Sequence, residues 1–201
     1  MGIIVLFVAL MANMGASAMQ IFKAETAGPV KDKLQPKLAD SARILWLIYL
    51  INTTITFVVL YACGMNGFDA LNHAFSVVAT GGFSTKTASI GYYDSVLLQW
   101  AMTGCMFMSG INYALFFYLY RTRSLRCFKD SLEFKVYLTV TLIAILLITG
   151  NSLSYYGQDV FTALRYAALH VTSILTTTGF VCCDYELWLP GAKFVLIALT
   201  V

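Results

Sequence analysis

The stretch HAFSVVATGGF at residues 73–83 returns in similar form as HVTSILTTTGF at residues 170–180. Each stretch begins as an apolar run of helical composition and ends in threonine and glycine, and each lies between hydrophobic segments of membrane length. Irregular backbone at membrane depth leaves N–H and C=O groups unpaired at a cost of several kcal/mol each, so it is tolerated only where it lines a cavity or pathway. The repeat therefore predicts a pore.

The composition indicates a membrane protein. Apolar residues make up 59% of the chain and charged residues only 11%, against roughly 25% charged residues in soluble domains, and the mean hydropathy is +0.76. Apolar segments long enough to cross a bilayer lie at 3–21, 44–61, 96–120 and 137–153, and a further one begins at 191 and is cut off at 201. These features predict an all-α polytopic membrane protein, and we expect the chain to be an internal piece of a longer one.

Basic residues follow the first and third predicted spans, which makes those two loops cytoplasmic by the positive-inside rule. The opposite side carries Asp94, Asp184 and Glu186 and is mildly acidic. Because the net charge is only +3 and topology accounts for the basic loops, no nucleic-acid partner is predicted.

Two units of the same order follow from this topology. In each, an outward span precedes a short helix (68–78 or 160–175), an irregular return and an inward span. Both helices are too short to cross a bilayer. Asp69 and Asp159 lie near their N-terminal ends, where we expect the carboxylates to cap free N–H groups.

This arrangement suits a cation such as potassium, whose hydration shell can be replaced by stacked backbone carbonyls. Glycine permits the unusual φ angles that such a backbone needs, and threonine hydroxyls can add an oxygen or secure the strand. The candidate ion-binding residues are Ala79, Thr80, Gly81, Gly82, Thr176, Thr177, Thr178 and Gly179. Asn112, deep in a predicted span, is expected to secure a helix break or to line an inner cavity.

Other interpretations of these residues are weaker. Thr/Gly clusters often serve close helix packing, but packing does not predict two clusters at the same place in a repeated unit. His73 and His170 are expected to be buried scaffold residues, because no cysteine or carboxylate ligand set accompanies them in the sequence. Ser76 and Ser173 follow the histidines without a nucleophile elbow or an acidic partner. We therefore predict neither an enzyme, a cofactor nor a transition-metal site.

An ordered series of motifs resembles the Trk/Ktr/HKT potassium-uptake superfamily. The segments VATGGFST (78–85) and ASIGYYDS (88–95) resemble the family's second pore segment, and TTTGF (176–180) resembles its third filter. MSGINY (108–113) resembles the inner-helix segment that follows the second filter, and FKAE (22–25) with Gly28-Pro29 resembles the cytoplasmic loop before it. The resemblance covers nearly the whole chain.

The resemblance implies potassium uptake across the cytoplasmic membrane through a filter of backbone carbonyls. It implies four membrane–pore–membrane repeats around one pore, of which this chain holds two filters, a homodimer in the lipid bilayer, and a cytoplasmic nucleotide-binding regulatory subunit of the TrkA type. The implied divisions are an inner helix (1–22), a cytoplasmic loop (23–43), the second pore repeat (44–120), a cytoplasmic loop (121–136) and a truncated third pore repeat (137–201).

A secondary ion-coupled transporter is the alternative, since it also places the ends of discontinuous helices at a site near the membrane midplane. Inverted repeats would favour the transporter. The two predicted repeats run in the same sense, which favours the pore.

Overall fold

The computed structural model describes residues 38–123, 126–153 and 155–200. Every regular element within these ranges is helical, which confirms the predicted all-α class. The predicted span 3–21 lies outside the described residues. The loop that follows it is also outside them up to residue 37. The α-helices are α1 (Leu38–Ala62), α2 (Gly67–Val78), α3 (Val96–Ser109), α4 (Tyr113–Thr122), α5 (Arg126–Asp130), α6 (Leu132–Ser152), α7 (Val160–Leu175) and α8 (Pro190–Ala198). Short 3-10 turns lie at Ser89–Tyr92 and Tyr185–Leu187.

Two helices are long and apolar enough to cross a membrane. They are Ile44–Ala62 within α1 and the whole of α6, which correspond to two of the predicted spans. Large apolar side chains on both helices are exposed, such as Ile55 on α1 and Leu146 on α6. Exposed apolar faces of this extent are unfavourable in water and suit the hydrocarbon of a bilayer.

The predicted span over 96–120 is interrupted by a break in the helix. The chain forms α3 and α4 with a break at residues 110–112, although the two helices together pass the same test for a span. Gly110 ends α3, and the Ile111 N–H bonds three residues back to the Met108 carbonyl instead of continuing the helix. At the break, the Asn112 side-chain amide donates to Glu133 Oε2 at 3.0 Å. The expectation that Asn112 secures a helix break or lines an inner cavity stays a prediction.

The described residues form two compact units. The first contains 38–52 and 113–123, where the Tyr113 ring lies 6.2 Å from the Tyr49 ring and its hydroxyl accepts a hydrogen bond from the Asn52 amide at 3.4 Å. The second contains the remaining described residues, including both threonine–glycine stretches.

Both short helices belong to the second unit. Helix α2 packs against α3, and α7 packs against both α3 and α6. Two clusters of buried residues surround them, one that includes Met102 and Leu169 and one that includes Ile148 and Val171. Burial by neighbouring helices lets α2 and α7 end inside the unit without spanning a bilayer.

The two predicted helix caps have different outcomes. Asp159 is the N-cap of α7, and its carboxylate accepts hydrogen bonds from the N–H groups of Phe161 at 3.2 Å and Thr162 at 3.4 Å. The prediction for Asp69 is wrong: the N-cap of α2 is Asn66, without a side-chain cap. Asp69 lies two residues inside the helix, and its carboxylate accepts hydrogen bonds from the loop after α2 instead.

Replacement of Gly110 by alanine should destabilise the second unit. A Cβ at Gly110 would lie 2.6 Å from Thr176 Cγ2 and 2.7 Å from the Tyr137 hydroxyl, which is itself bonded to the Phe107 carbonyl. Overpacking of this kind costs about 1–3 kcal/mol. We expect Gly110→Ala to lower the thermal unfolding midpoint of the detergent-solubilised full-length protein.

Gly104→Ala is the matched control, because a Cβ at Gly104 meets no atom within 4 Å. Alanine is favoured over glycine inside a helix by roughly 0.5–1 kcal/mol, so this control should leave the midpoint unchanged or raise it. Equal midpoints for the two variants would contradict the packing at Gly110.

Candidate functional site

The two threonine–glycine stretches adopt the same backbone conformation. We call residues 79–82 the first Thr/Gly segment and residues 176–179 the second. Thr80 and Thr177 have φ angles of 50° and 55°, and Gly82 and Gly179 have φ angles of 67° and 90°. The left-handed region costs a residue with a Cβ about 1–2 kcal/mol. Surrounding contacts must therefore hold both threonines in this conformation.

Those contacts include backbone hydrogen bonds back to the preceding helix. The Gly81 N–H donates to the Ser76 carbonyl at 2.7 Å, and the Thr178 N–H donates to the Ser173 carbonyl at 2.8 Å. One residue earlier in each segment, the N–H of Thr80 or Thr177 donates to the carbonyl three residues before it. The amides of residues 79–81 and 176–179 thus point towards the ends of α2 and α7.

The carbonyl groups of the two segments, unlike most of the amides, are not hydrogen-bonded within the described residues. None of the carbonyl oxygens of residues 79–82 or 176–179 accepts a hydrogen bond from the described part of the chain. Most residues of the two segments are exposed or half-buried, and only Thr176 and Thr178 are buried, so most of these carbonyls lie at or near the surface of the described chain. Carbonyl oxygens without a hydrogen-bond donor are chemically able to accept a cation.

The two segments approach each other at Gly82. A Cβ at this position would lie 2.0 Å from the Thr178 carbonyl oxygen, so no other residue fits without a shift of backbone. Gly179 has a positive φ, but a Cβ there would meet no atom within 4 Å. Gly82 is therefore required for both conformation and contact, and Gly179 for conformation alone.

Hydroxyl groups secure the second segment. Ser173 Oγ donates to the Phe180 carbonyl at 2.8 Å, which closes the segment between its two ends. Thr176 Oγ1 donates to the Thr172 carbonyl and lies 2.7 Å from Thr178 Oγ1. The side chains of Thr176 and Thr178 are buried, so they act as scaffold behind the backbone.

A carboxylate secures the loop that follows the first segment. Asp69 accepts hydrogen bonds from Thr85 Oγ1 at 2.7 Å and the Tyr93 hydroxyl at 3.0 Å, and its Oδ2 lies 3.3 Å from Lys86 Nζ. The hydrogen bond from Thr85 is the largest of the effects that hold the pKa of Asp69 below its ordinary value of 3.8. Sequence reasoning missed this cluster, because its members are separated by up to 24 residues. An acidic residue on a short apolar helix was the available signal.

The two histidines are buried scaffold residues, as predicted. The Nδ1–H of His73 donates to the Asp69 carbonyl at 2.7 Å, and Nε2 lies 3.0 Å from Ser84 Oγ. His170 makes the equivalent Nδ1–H bond to the Tyr166 carbonyl at 2.9 Å. The prediction that no cysteine accompanies them is wrong for His170, because the fold brings Cys182 and Cys183 to it.

The loops after the two segments are joined to each other. The N–H groups of Ile90 and Gly91 both donate to the Val181 carbonyl, at 3.0 and 3.3 Å, and the Val181 N–H donates to Ser89 Oγ at 3.3 Å. Gly91 fits against the Cys182 carbonyl oxygen, which a Cβ would approach to 2.7 Å. These bonds fix the two segments relative to each other, and no periodicity in the sequence indicated them.

Comparisons with known proteins agree with this architecture. A family model described as TrkH, a cation transport protein, matches residues 1–149. The crystal structure of the potassium transporter TrkH from Vibrio parahaemolyticus matches with a TM-score of 0.80 and 27% sequence identity, over 98% of this chain and 40% of that one. The fold is that of a multi-pass membrane transporter and not of an enzyme. The chain belongs to the TrkH family of cation transport proteins.

Curated relatives show how much of such a protein the chain represents. It is 39% identical over 194 residues to the Trk system potassium uptake protein TrkH of Halomonas elongata, which covers 96% of this chain and 40% of the relative. It is 30% identical over 202 residues to the potassium uptake protein TrkG of Escherichia coli K12, over 100% of this chain and 41% of the relative. The chain spans about 40% of the length of these relatives.

The Asp69 cluster should make stability depend on pH in the acid range. Since folding lowers the pKa of this carboxyl below 3.8, its stabilising contribution is complete above that value and is lost as the pH falls towards the lower, folded-state pKa. We expect the thermal midpoint of the full-length protein to fall less steeply with acidification below about pH 4 in Asp69→Asn than in the wild type.

Asp94→Asn is the control, because Asp94 is an exposed aspartate of the same loop. This variant should follow the wild-type curve. If Asp69→Asn also follows the wild-type curve through the acid range, Asp69 does not stabilise the loop as an ionised group.

Proposed function

We propose that the full-length protein takes up potassium across the cytoplasmic membrane and binds the ion at backbone carbonyls of the two Thr/Gly segments. The proposed selectivity-filter residues are those of 79–82 and 176–179. The supporting observation is the division of the backbone polar groups. The amides of residues 79–81 and 176–179 bond back to the helices, and the carbonyls of these residues accept no hydrogen bond from the described chain.

Potassium chemistry fits this division. A dehydrating potassium ion needs several oxygen ligands that replace water without binding the ion too tightly to release it. Neutral carbonyl dipoles meet that need better than carboxylates. The nearest carboxylate cluster, at Asp69, is neutralised in part by Lys86 and is occupied by hydroxyl donors.

The two segments supply part of a ring of ligands. We propose that residues 44–120 and 137–201 are two pore repeats, and that the rest of the longer protein supplies the remaining filters. The break at 110–112 would lie on the inner side of the filter, since a Cβ at Gly110 would lie 2.6 Å from Thr176 Cγ2. Asn112, at this break, is the proposed polar residue of an inner cavity.

Partners are proposed by analogy with the relatives, which are named as proteins of the Trk system. We propose a homodimer of the full-length protein and a cytoplasmic nucleotide-binding subunit of the TrkA type. No cofactor is proposed, and potassium is the transported ion.

Ion uptake in cells tests the function directly. The full-length gene should restore growth at low potassium, and rubidium uptake, to a bacterial strain that lacks its own potassium-uptake systems. Absence of uptake by a protein that reaches the membrane, together with a flux of sugar or amino acid, would contradict the proposal. Uptake that requires a co-transported ion would favour the ion-coupled alternative at the same carbonyls.

The two glycines should differ in the severity of their alanine variants. Gly82→Ala places a Cβ against the Thr178 carbonyl, and overpacking by about 1–3 kcal/mol, if it acts on the transition state, corresponds to a roughly fivefold to 150-fold loss of kcat/KM for potassium. Gly179→Ala introduces conformational strain only and should lose less, with some admission of sodium. Rubidium and sodium fluxes in vesicles measure both effects.

Gly104→Ala again serves as the control for a glycine in open space and should transport like the wild type. Unchanged selectivity and rate in both Gly82→Ala and Gly179→Ala would remove these residues from the ion path.

A further inference from the structure

His170, Cys182 and Cys183 meet behind the second Thr/Gly segment. One ring nitrogen of His170 and the two Sγ atoms all lie within 4.8 Å of one another, and Cys182 Sγ is 3.7 Å from His170 Nδ1. We propose that these three residues form a binding site for a single thiophilic cation with a filled d shell, such as Cd²⁺ or Zn²⁺. The site is separate from the proposed potassium path and does not depend on it.

The spacing is close to that of a bound ion. Zinc bonds of about 2.3 Å to sulfur and 2.0–2.1 Å to nitrogen in a tetrahedral site place the ligand atoms roughly 3.5–3.8 Å apart. The ligand atoms of this cluster lie within 4.8 Å of one another, a limit above that range. The 3.7 Å contact of Cys182 Sγ is to Nδ1, the ring nitrogen that carries the proton. In the proposed site, side-chain rotations bring His170 Nε2 and the two sulfur atoms closer together around the ion.

The hydrogen bonding of His170 prepares its other nitrogen for a metal. A carbonyl oxygen can only accept, so the bond to Tyr166 places the proton on Nδ1 and leaves a lone pair on Nε2 of the neutral ring. Nε2 is buried and has no hydrogen-bond partner among the described residues. Histidine ligands are commonly oriented by such a bond from the second nitrogen to a backbone carbonyl.

Aromatic residues hold the site in place. The His170 ring packs edge-on against Trp188 and Tyr185, with centroids 5.1 and 5.7 Å apart. The Trp188 indole N–H donates to the Tyr156 hydroxyl at 3.0 Å, and that hydroxyl lies 3.4 Å from Cys183 Sγ. Because the indole supplies its own proton, the phenol proton remains available to a Cys183 thiolate, as the outer-shell donors of metal sites are.

In the first repeat, no thiol group among the described residues is hydrogen-bonded to the equivalent histidine. His73, the counterpart of His170, has Nε2 bonded to Ser84, and the loop beside it is held by hydroxyl and carboxylate groups. No other cluster of three metal-binding side chains occurs in the part of the chain that the structure describes. Thiol ligands are therefore particular to the second repeat, and sulfur with imidazole selects soft or borderline metals over potassium or magnesium.

Cadmium titration of the purified full-length protein tests the site. Under reducing conditions in detergent, the wild type should bind Cd²⁺ with an ultraviolet thiolate-to-cadmium charge-transfer band. Cys182→Ser and Cys183→Ser should each weaken this binding at least about tenfold and remove one tightly bound equivalent, measured by equilibrium dialysis. Cys63→Ser, at a free and half-buried cysteine elsewhere in the unit, should bind like the wild type.

Gel filtration and the thermal midpoint show that each variant is folded. No charge-transfer band in the folded wild type, or equal Cd²⁺ affinity in the wild type, Cys182→Ser and Cys183→Ser, would overturn the proposal. Because the readout is metal binding in the absence of transport, its failure would leave the potassium proposal standing, and the reverse also holds.

Discussion

Unpaired backbone carbonyls are the constraint on which the rest of this structure depends. A chain can leave consecutive carbonyls free at membrane depth only if the amides of the same residues are satisfied and the conformation is held from outside. Here the carbonyls of Ser76 and Ser173 accept the amides, and the left-handed φ angles of Thr80 and Thr177 turn the chain. The ends of the two short helices supply these acceptors.

The two repeats solve the same mechanical problem with different side chains. The first fixes its return loop through the Asp69 carboxylate and the His73 imidazole. The second fixes its segment through Ser173 and Thr176 hydroxyls and places thiols beside His170. Backbone geometry is thus repeated while the supporting chemistry is not, as expected if the carbonyl positions carry the function and the side chains act as scaffold.

Sequence reasoning predicted the repeated part of the fold well. Helix α7 has the predicted bounds, and α2 begins one residue before its prediction, because apolar periodicity and the following Thr/Gly stretch are local signals. The Asp69 cluster and the contact of His170 with two cysteines could not be predicted in the same way. Each depends on residues brought together by packing, and spacing along the chain carries no signal for such contacts.

The central claim is that potassium contacts the carbonyls of residues 79–82 and 176–179, and the location of the ion tests it most directly. Crystals of the full-length protein grown with rubidium or thallium in place of potassium would locate the ion by anomalous scattering. The account predicts peaks within contact distance of carbonyl oxygens from both segments. Well-occupied peaks elsewhere, with neither segment contacting an ion, would contradict it.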